Sequence, residues 1–211
     1  MEEVTIEING INVVLLKEPT DIHGLIFRPR FANYSDKHDW ISEFTRKASE
    51  EVSDGNYKAV ADLPIRGPIV EIGVFRNGER SFTKALLANK PDNIPYLGID
   101  IDDKSVLDDK DRSIYTIKCD SFDQGRVRTE MWVLGIRSVW LLLIDSHHAM
   151  ENVVNDWRYA DCVCKGGYVV LHDTNGHPPA AFIHAIDRNQ YDVRQLFKGE
   201  DDYGLTICIK L

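Results

Sequence analysis

From Ile69 onward the chain alternates short apolar runs with stretches of helical spacing. Residues 69–75, Ile-Val-Glu-Ile-Gly-Val-Phe, hold five apolar positions interrupted by Glu71 and Gly73 and predict a buried strand. Asn77-Gly78 then reads as a tight turn into a helix that begins near Glu79 and runs to about Asn89. The same pattern predicts strands over 96–101 and 114–118, a helix over 129–134, a strongly apolar strand over 139–144 and a helix over 149–163. Gly166-Gly167 is expected to turn into a strand over 168–171. After Pro178 and Pro179 come a helix over 180–188 and two closing strands, 191–197 and 205–211. Successive β and α units of this length require crossovers, so the first five strands should run parallel under helices on both faces. The last two, joined by the short polar link 198–203, should pair antiparallel. The expected fold is α/β, a Rossmann-like sheet of seven strands, mostly parallel with an antiparallel last strand.

Ahead of this region, residues 4–16 alternate imperfectly about Asn9-Gly10, a dipeptide suited to the positive φ angles of a hairpin turn. Residues 35–52 place Trp40, Ile41, Phe44 and Ala48 at helical spacing behind a candidate cap at Ser35. Residues 53–68, with two glycines and two prolines, read as a connector. The expected organisation is therefore an N-terminal extension over 1–68 and one domain over 69–211.

Composition narrows the function classes. A chain of 211 residues, 43% hydrophobic, buries one substantial core and is short for two. The formal charge of -9, with no basic run, argues against a general nucleic-acid surface, which needs clustered cations to displace counterions. No stretch approaches the roughly 20 apolar residues of a membrane span, and the N-terminus has no long apolar segment behind positive charges. A soluble, cytoplasmic protein is expected. Cys119, Cys162, Cys164 and Cys208 form neither a Cys-x-x-Cys pair nor a disulfide framework, which argues against a zinc site of thiolates, and three of the four lie in or beside apolar segments and read as small buried thiols.

In a doubly wound sheet, ligands lie beyond the carboxyl ends of the strands, where strand order reverses. The residues expected there are Glu71 and Gly73, Asp100 and Asp102, Cys119-Asp120-Ser121, Asp145 to His148, and His172-Asp173. Any single Asp could be only a turn residue. Gly73 lets a ligand approach the backbone, the next helix presents unpaired N–H groups, and Asp100 can accept both hydroxyls of a ribose. The first loop has neither Gly-x-Gly-x-x-Gly nor Gly-Lys-Ser/Thr, and Glu71 would set a negative charge near a pyrophosphate. A cofactor with ribose, adenine and a positive or zwitterionic tail fits better than a dinucleotide.

The blocks Val-Glu-Ile-Gly-Val-Phe-Arg-Asn-Gly, Leu-Gly-Ile-Asp, Leu-Ile-Asp-Ser-His-His and Gly-Gly-Tyr-Val-Val-Leu-His-Asp-Thr, in that order, resemble class I S-adenosylmethionine-dependent methyltransferases. The nearest likeness is to the branch containing the macrolide-sugar O-methyltransferases and cephalosporin-hydroxylase-like proteins, over residues 69–211. The resemblance implies S-adenosyl-L-methionine as cofactor, with Glu71 and Gly73 bordering its methionine part, Asp100 the ribose, and Asp120 and Ser121 the adenine edge. It adds Asn77, Gly78 and Ser81 as loop contacts. Phe75 stands where many of these enzymes carry a second glycine, which implies a wider loop.

Two carboxylates and three imidazoles, from Asp145, His147, His148, His172 and Asp173, are expected to meet at adjacent strand ends. Carboxylate oxygens with an open coordination position suit a divalent metal, Mg²⁺ or Mn²⁺, which lowers the pKa of a bound hydroxyl. The resemblance implies metal ligands at Asp145 and Asp173 and a catalytic base at His148, where an ordinary imidazole pKa of about 6.5 suits proton acceptance. The alternative for His147 and His148 is helix capping or packing. The third ligand is expected at His172, where the sugar enzymes carry Glu, with Asn175 as the alternative. Asp156 and Trp157 read as helix surface and packing.

Tyr34, Trp40, Tyr57 and the loop 175–179 are the acceptor-side candidates, since aromatic rings stack on sugar faces, and the extension is a candidate lid. The function expected is O-methylation of a sugar hydroxyl in a glycan or glycosylated small molecule, with no nucleic-acid or membrane partner and homo-oligomerisation left open. A phosphoesterase-like metal hydrolase and a non-catalytic cofactor-binding module are the rival readings; the first leaves Glu71 and Asp100 without a role.

Overall fold

The structure, a computed structural model, describes residues 2–8, 11–20, 24–30, 59–74, 81–175, 177–196 and 203–211. Contacts divide the chain into two compact units, Met1–Val52 and Ser53–Leu211. In the first, β1 (Glu2–Ile8) pairs antiparallel with β2 (Ile11–Thr20), with Ile8 opposite Ile11 on either side of Asn9-Gly10. A third strand, β3 (Gly24–Arg30), pairs with β2. It went unanticipated because Pro29 weakens the strand signal; β3 is an edge strand, where a missing N–H is tolerated. The expected helix over 35–52 lies outside the described residues, as do Tyr34, Trp40 and Tyr57.

The second unit runs β4 (Ile69–Ile72), α1 (Phe82–Asn89), β5 (Tyr96–Asp100), β6 (Ile114–Lys118), α2 (Gln124–Val133), β7 (Val139–Ile144), α3 (Met150–Trp157), β8 (Val163–His172), α4 (Pro178–Phe182), β9 (Tyr191–Leu196) and β10 (Leu205–Lys210). Its seven strands stand in the order β6-β5-β4-β7-β8-β10-β9. The pairs from β6 to β8 are parallel, and β10 opposes both β8 and β9. Six strands thus run one way and β10 alone runs against them, as expected. No helix among the described residues is long and apolar enough to cross a membrane.

Side-chain parity builds the two layers. Val70, Ile72, Leu97, Ile99, Leu142 and Ile144 point to the face covered by Val127 and Met131 of α2 and Val153 of α3. Ile69, Tyr96, Leu141, Leu143 and Val170 point the other way, under Phe82 and Leu86 of α1. Adjacent residues on each strand therefore feed opposite cores.

Four elements differ in their boundaries from the sequence reading. The strand expected over 168–171 is longer, since β8 runs through Gly166-Gly167, where a register shift against β7 between Val139 and Leu141 absorbs the irregularity as a bulge. Helix α2 starts five residues early, at Gln124, because Asp123 caps it by accepting from the Arg126 N–H at 3.0 Å. The helices expected over 149–163 and 180–188 each end sooner and pass into 3₁₀ turns, Arg158–Cys162 and Ile183–Ala185.

The chain leaves β4 to one side and returns to its other side as β7, so strand order reverses between them. There Gly73 has φ +85°, and a Cβ on it would lie 2.2 Å from the Asp145 carbonyl oxygen. Gly73→Ala should therefore lose stability by about 2–4 kcal/mol, from backbone strain and overpacking together. Urea unfolding measures it; a variant as stable as wild type would show that the two strand ends separate freely.

Candidate active site

A cavity of about 530 Å³ opens at this reversal, within the range of small-molecule sites. Its wall is made by strand ends: Gly73 and Val74 after β4, Asp100 and Asp102 at β5, Asp120 and Ser121 after β6, and Asp145 to His147 after β7, with Asn152 of α3. A hollow of about 550 Å³ beside β9, lined by Arg188, Tyr191 and Asp192 among others, lies at the sheet edge and brings no comparable acid and imidazole groups together.

One half of the cavity is polar and fixed by backbone. The two carboxylate oxygens of Asp100 accept from the Val74 and Asp102 N–H groups, each at 2.8 Å, which locks the group in place on the wall. Asp120 accepts from the Phe122 N–H at 3.0 Å. Glu71 lies elsewhere. It shares parity with Ile69, so its side chain enters the core face, 1% exposed, where the hydroxyls of Thr83 and Tyr96 donate to its carboxylate. It is absent from the described cavity wall. Burial pushes its pKa up to about 8, against the lowering effect of the Tyr96 and Thr83 hydrogen bonds. Ser81 is likewise off that wall and caps α1, accepting from the Lys84 N–H at 3.2 Å. Asn77 and Gly78 lie outside the described residues.

Beneath the wall is a network that the sequence reading missed. Asp156, expected on the helix surface, is fully buried on α3. The Ser146 hydroxyl donates to its Oδ2 and the Asn155 amide to its Oδ1 at 3.0 Å. Asn155 also reaches the Ser121 hydroxyl at 3.4 Å and accepts from Gln124 at 3.2 Å, while Tyr159 donates to the Ser121 carbonyl. The available signal was spacing: Asp156 lies one helical turn after Asn152, which faces the cavity. Trp157 packs edge-on against Phe182 and Tyr191, as expected.

The other half gathers acid and imidazole. Asp145, His148 and Asp173 each offer one donor atom, all within 4.8 Å of one another. His148 Nε2 lies 2.6 Å from Asp173 Oδ2. His172, the expected third ligand, stands behind this trio: its Nδ1 is 3.0 Å from Asp145 Oδ1 and 3.2 Å from Asp173 Oδ2, and its buried Nε2 has no hydrogen-bond partner. Burial opposes charge on His172, yet the Asp145 charge and the hydrogen bonds to both carboxylates push its pKa up to about 10. Burial also opposes charge on Asp173, but hydrogen bonds from His148 and His172 outweigh it and hold the carboxyl well below its usual range.

Asp173 occupies the left-handed region, φ +53°, a conformation costly for a residue with a side chain. Its successors are pinned to the turn before β10. The Thr174 and Asn175 N–H groups donate to the Gly204 and Tyr203 carbonyls, and Thr206 bonds the Thr174 hydroxyl. Gly204 permits this approach, since a Cβ there would lie 2.7 Å from the Asn175 Cβ.

This donor set fits a hard divalent cation. Two carboxylates face one imidazole, and among the described residues neither carboxylate has a Lys or Arg partner. The arrangement can hold such an ion beside the polar half of the cavity.

Comparison with known proteins agrees with this geometry. The family described as Rhamnosyl O-methyltransferase/CmcI matches residues 35–192, 158 of the 211 residues. No curated protein sequence matches the chain. Among solved structures, the chain is similar to the MycE methyltransferase from the mycinamycin biosynthetic pathway, in complex with Mg, SAH and mycinamycin VI. The TM-score is 0.51 at 14% identity, over 92% of this chain and 66% of that one, so the chain spans slightly less than two thirds of MycE. It is similar to the O-methyltransferase from Bacillus cereus in complex with SAH, with TM-score 0.55 at 12% identity over 86% and 93% of the two chains. The Methanococcus jannaschii fibrillarin pre-rRNA processing protein also aligns, with TM-score 0.53 at 11% identity over 100% and 98%. At these identities the structural likeness is one of fold.

Glu71 generates a pH-dependent prediction. Its folded pKa of about 8 exceeds the ordinary 4.5, so between these values the folded state keeps a proton that the unfolded state releases. Stability should fall as pH rises through this window, by up to about 1.4 kcal/mol per pH unit. Between about pH 5 and 6.5, comparison with Glu71→Gln isolates this residue, because the other titrating groups are common to both proteins. Denaturant unfolding of wild type and Glu71→Gln across this range should show a difference that drifts steadily against wild type. A pH-independent difference would mean that Glu71 is ionised in the core.

Proposed function

Because the chain belongs to the rhamnosyl O-methyltransferase/CmcI family, we propose that it transfers a methyl group from S-adenosylmethionine to a sugar hydroxyl, in a glycan or glycosylated small molecule, at a site completed by a divalent cation. Family membership supports methyl transfer, and the donor set at the strand ends supports the cation. The observation that carries it is the placement in one strand-end region of a backbone-locked carboxylate, Asp100, and the trio Asp145, His148 and Asp173.

When bound, the cofactor supplies an electrophilic methyl group and the cation lowers the pKa of the acceptor hydroxyl. Asp145 and Asp173 would hold the cation, their oxygens converging from neighbouring strand ends. Asp100, with each oxygen already fixed by one N–H, presents its remaining lone pairs to a diol such as a ribose. His148 accepts the acceptor's proton. Its Nε2 rests on Asp173, whose charge orients the ring and stabilises the imidazolium formed. A two-cation hydrolase would need a second donor set about 4 Å from the first, and the described residues offer a single group.

One observation favours a second role for His148, as a cation ligand beside Asp145 and Asp173. His148→Ala separates the two. As a base, it should lower turnover by about 100-fold or more while S-adenosylhomocysteine and Mg²⁺ or Mn²⁺ bind as in wild type by calorimetry. A parallel collapse of cation affinity would assign His148 to the metal instead, and unchanged turnover would remove it from the reaction.

A further inference from the structure

The buried carboxylate of Asp156 is off the cavity wall, yet its hydrogen bonds lead, directly through Ser146 and indirectly through Asn155, to two separate strand-end loops that do form that wall. We infer that Asp156 is a positioning residue that ties the loop after β6 to the loop after β7 and so sets the width of the cofactor site between them. The inference rests on the reading of that cavity as an S-adenosylmethionine site.

On the β7 side the partner is the Ser146 hydroxyl, which donates to Asp156 Oδ2. Ser146 directly follows Asp145, so anchoring it also anchors the backbone that carries the acid. On the β6 side the link runs through Asn155, whose single amide nitrogen reaches both Asp156 Oδ1 and the Ser121 hydroxyl. Ser121 and Ser146 both line the cavity. Tyr159, 1% exposed, closes the network from below on the Ser121 carbonyl.

Packing alone has no need of a carboxylate here. Burial raises the pKa of Asp156 against its lowering hydrogen bonds, so the group sits at an energetic cost that an apolar residue would avoid. Its benefit is geometric: one carboxylate holds the Ser146 hydroxyl with one oxygen and, with the other, the Asn155 amide that reaches Ser121.

Calorimetric titration with S-adenosylhomocysteine compares wild type with Asp156→Ala, Asp156→Asn and Ser146→Ala, and amide hydrogen exchange over 119–123 and 145–148 is read in the same proteins without ligand. Asp156→Ala should bind about 10-fold or more weakly, with the cofactor KM raised more than kcat falls, and exchange should rise in both segments together. Asp156→Asn, which keeps shape and one acceptor oxygen, should recover part of the affinity. Wild-type affinity in Asp156→Ala, or faster exchange in one segment alone, would overturn the inference. Should Asp156→Ala not fold, Ser146→Ala decides by the same measures, weaker binding with joint loosening supporting the tie and unchanged binding refuting it. Failure of wild type to bind S-adenosylhomocysteine would instead sink the cofactor reading, and the exchange data would then decide by themselves whether the two loops are coupled.

Discussion

The close approach of Gly73 to the backbone of Asp145 is the constraint on which the remainder of the site depends. Parallel pairing of β4 with β7 brings the two strand ends side by side, and the chain then departs from them in opposite directions. A crevice follows from that divergence. Its two lips are within contact distance only because position 73 has no Cβ and adopts a positive φ. The polar half, held by Asp100, and the acid half, begun by Asp145, are therefore neighbours by backbone geometry before any side chain is chosen.

The polar groups around this crevice are sorted by what fixes them. Asp100 is held by two backbone N–H groups and Asp173 by a strained backbone pinned to the turn before β10, so both are set by main chain. Ser121 and Ser146 are instead held by buried side chains on α3 and the turn after it. Glu71 belongs to neither group and is coupled to the helix α1 through Thr83. Each strand end is thus braced by a different element, which gives rigidity to a site assembled from four loops.

The alternation of apolar runs carried the parallel sheet, the closing antiparallel strand and the gathering of acids at the strand ends, because parity and crossover length are properties of the chain itself. Partnerships across the fold were less legible. Glu71 read as a ligand contact, although its shared parity with Ile69 turns it into the core; the partner that accommodates it, Tyr96, lies on another strand. Asp156 read as surface because a lone Asp on a helix usually is, and only the Ser146 hydroxyl from another loop and the Asn155 amide make a buried carboxylate tolerable there. β3 was hidden by Pro29, whose cost disappears at a sheet edge.

The different placement of His148 and His172 about the two carboxylates follows from burial. Position 172 is the last residue of β8 and faces the α1 layer, where Phe82 packs edge-on against its ring. A side chain so enclosed reaches the two carboxylates from behind, and its Nδ1 lies within hydrogen-bond distance of both. His148, on the loop after β7 and a quarter exposed, meets Asp173 from the open side. The carboxylates are therefore held between one imidazole in the core and one accessible to ligands. The repulsion between two like charges at adjacent strand ends is thereby offset from within the fold, and their spacing is set by the protein itself.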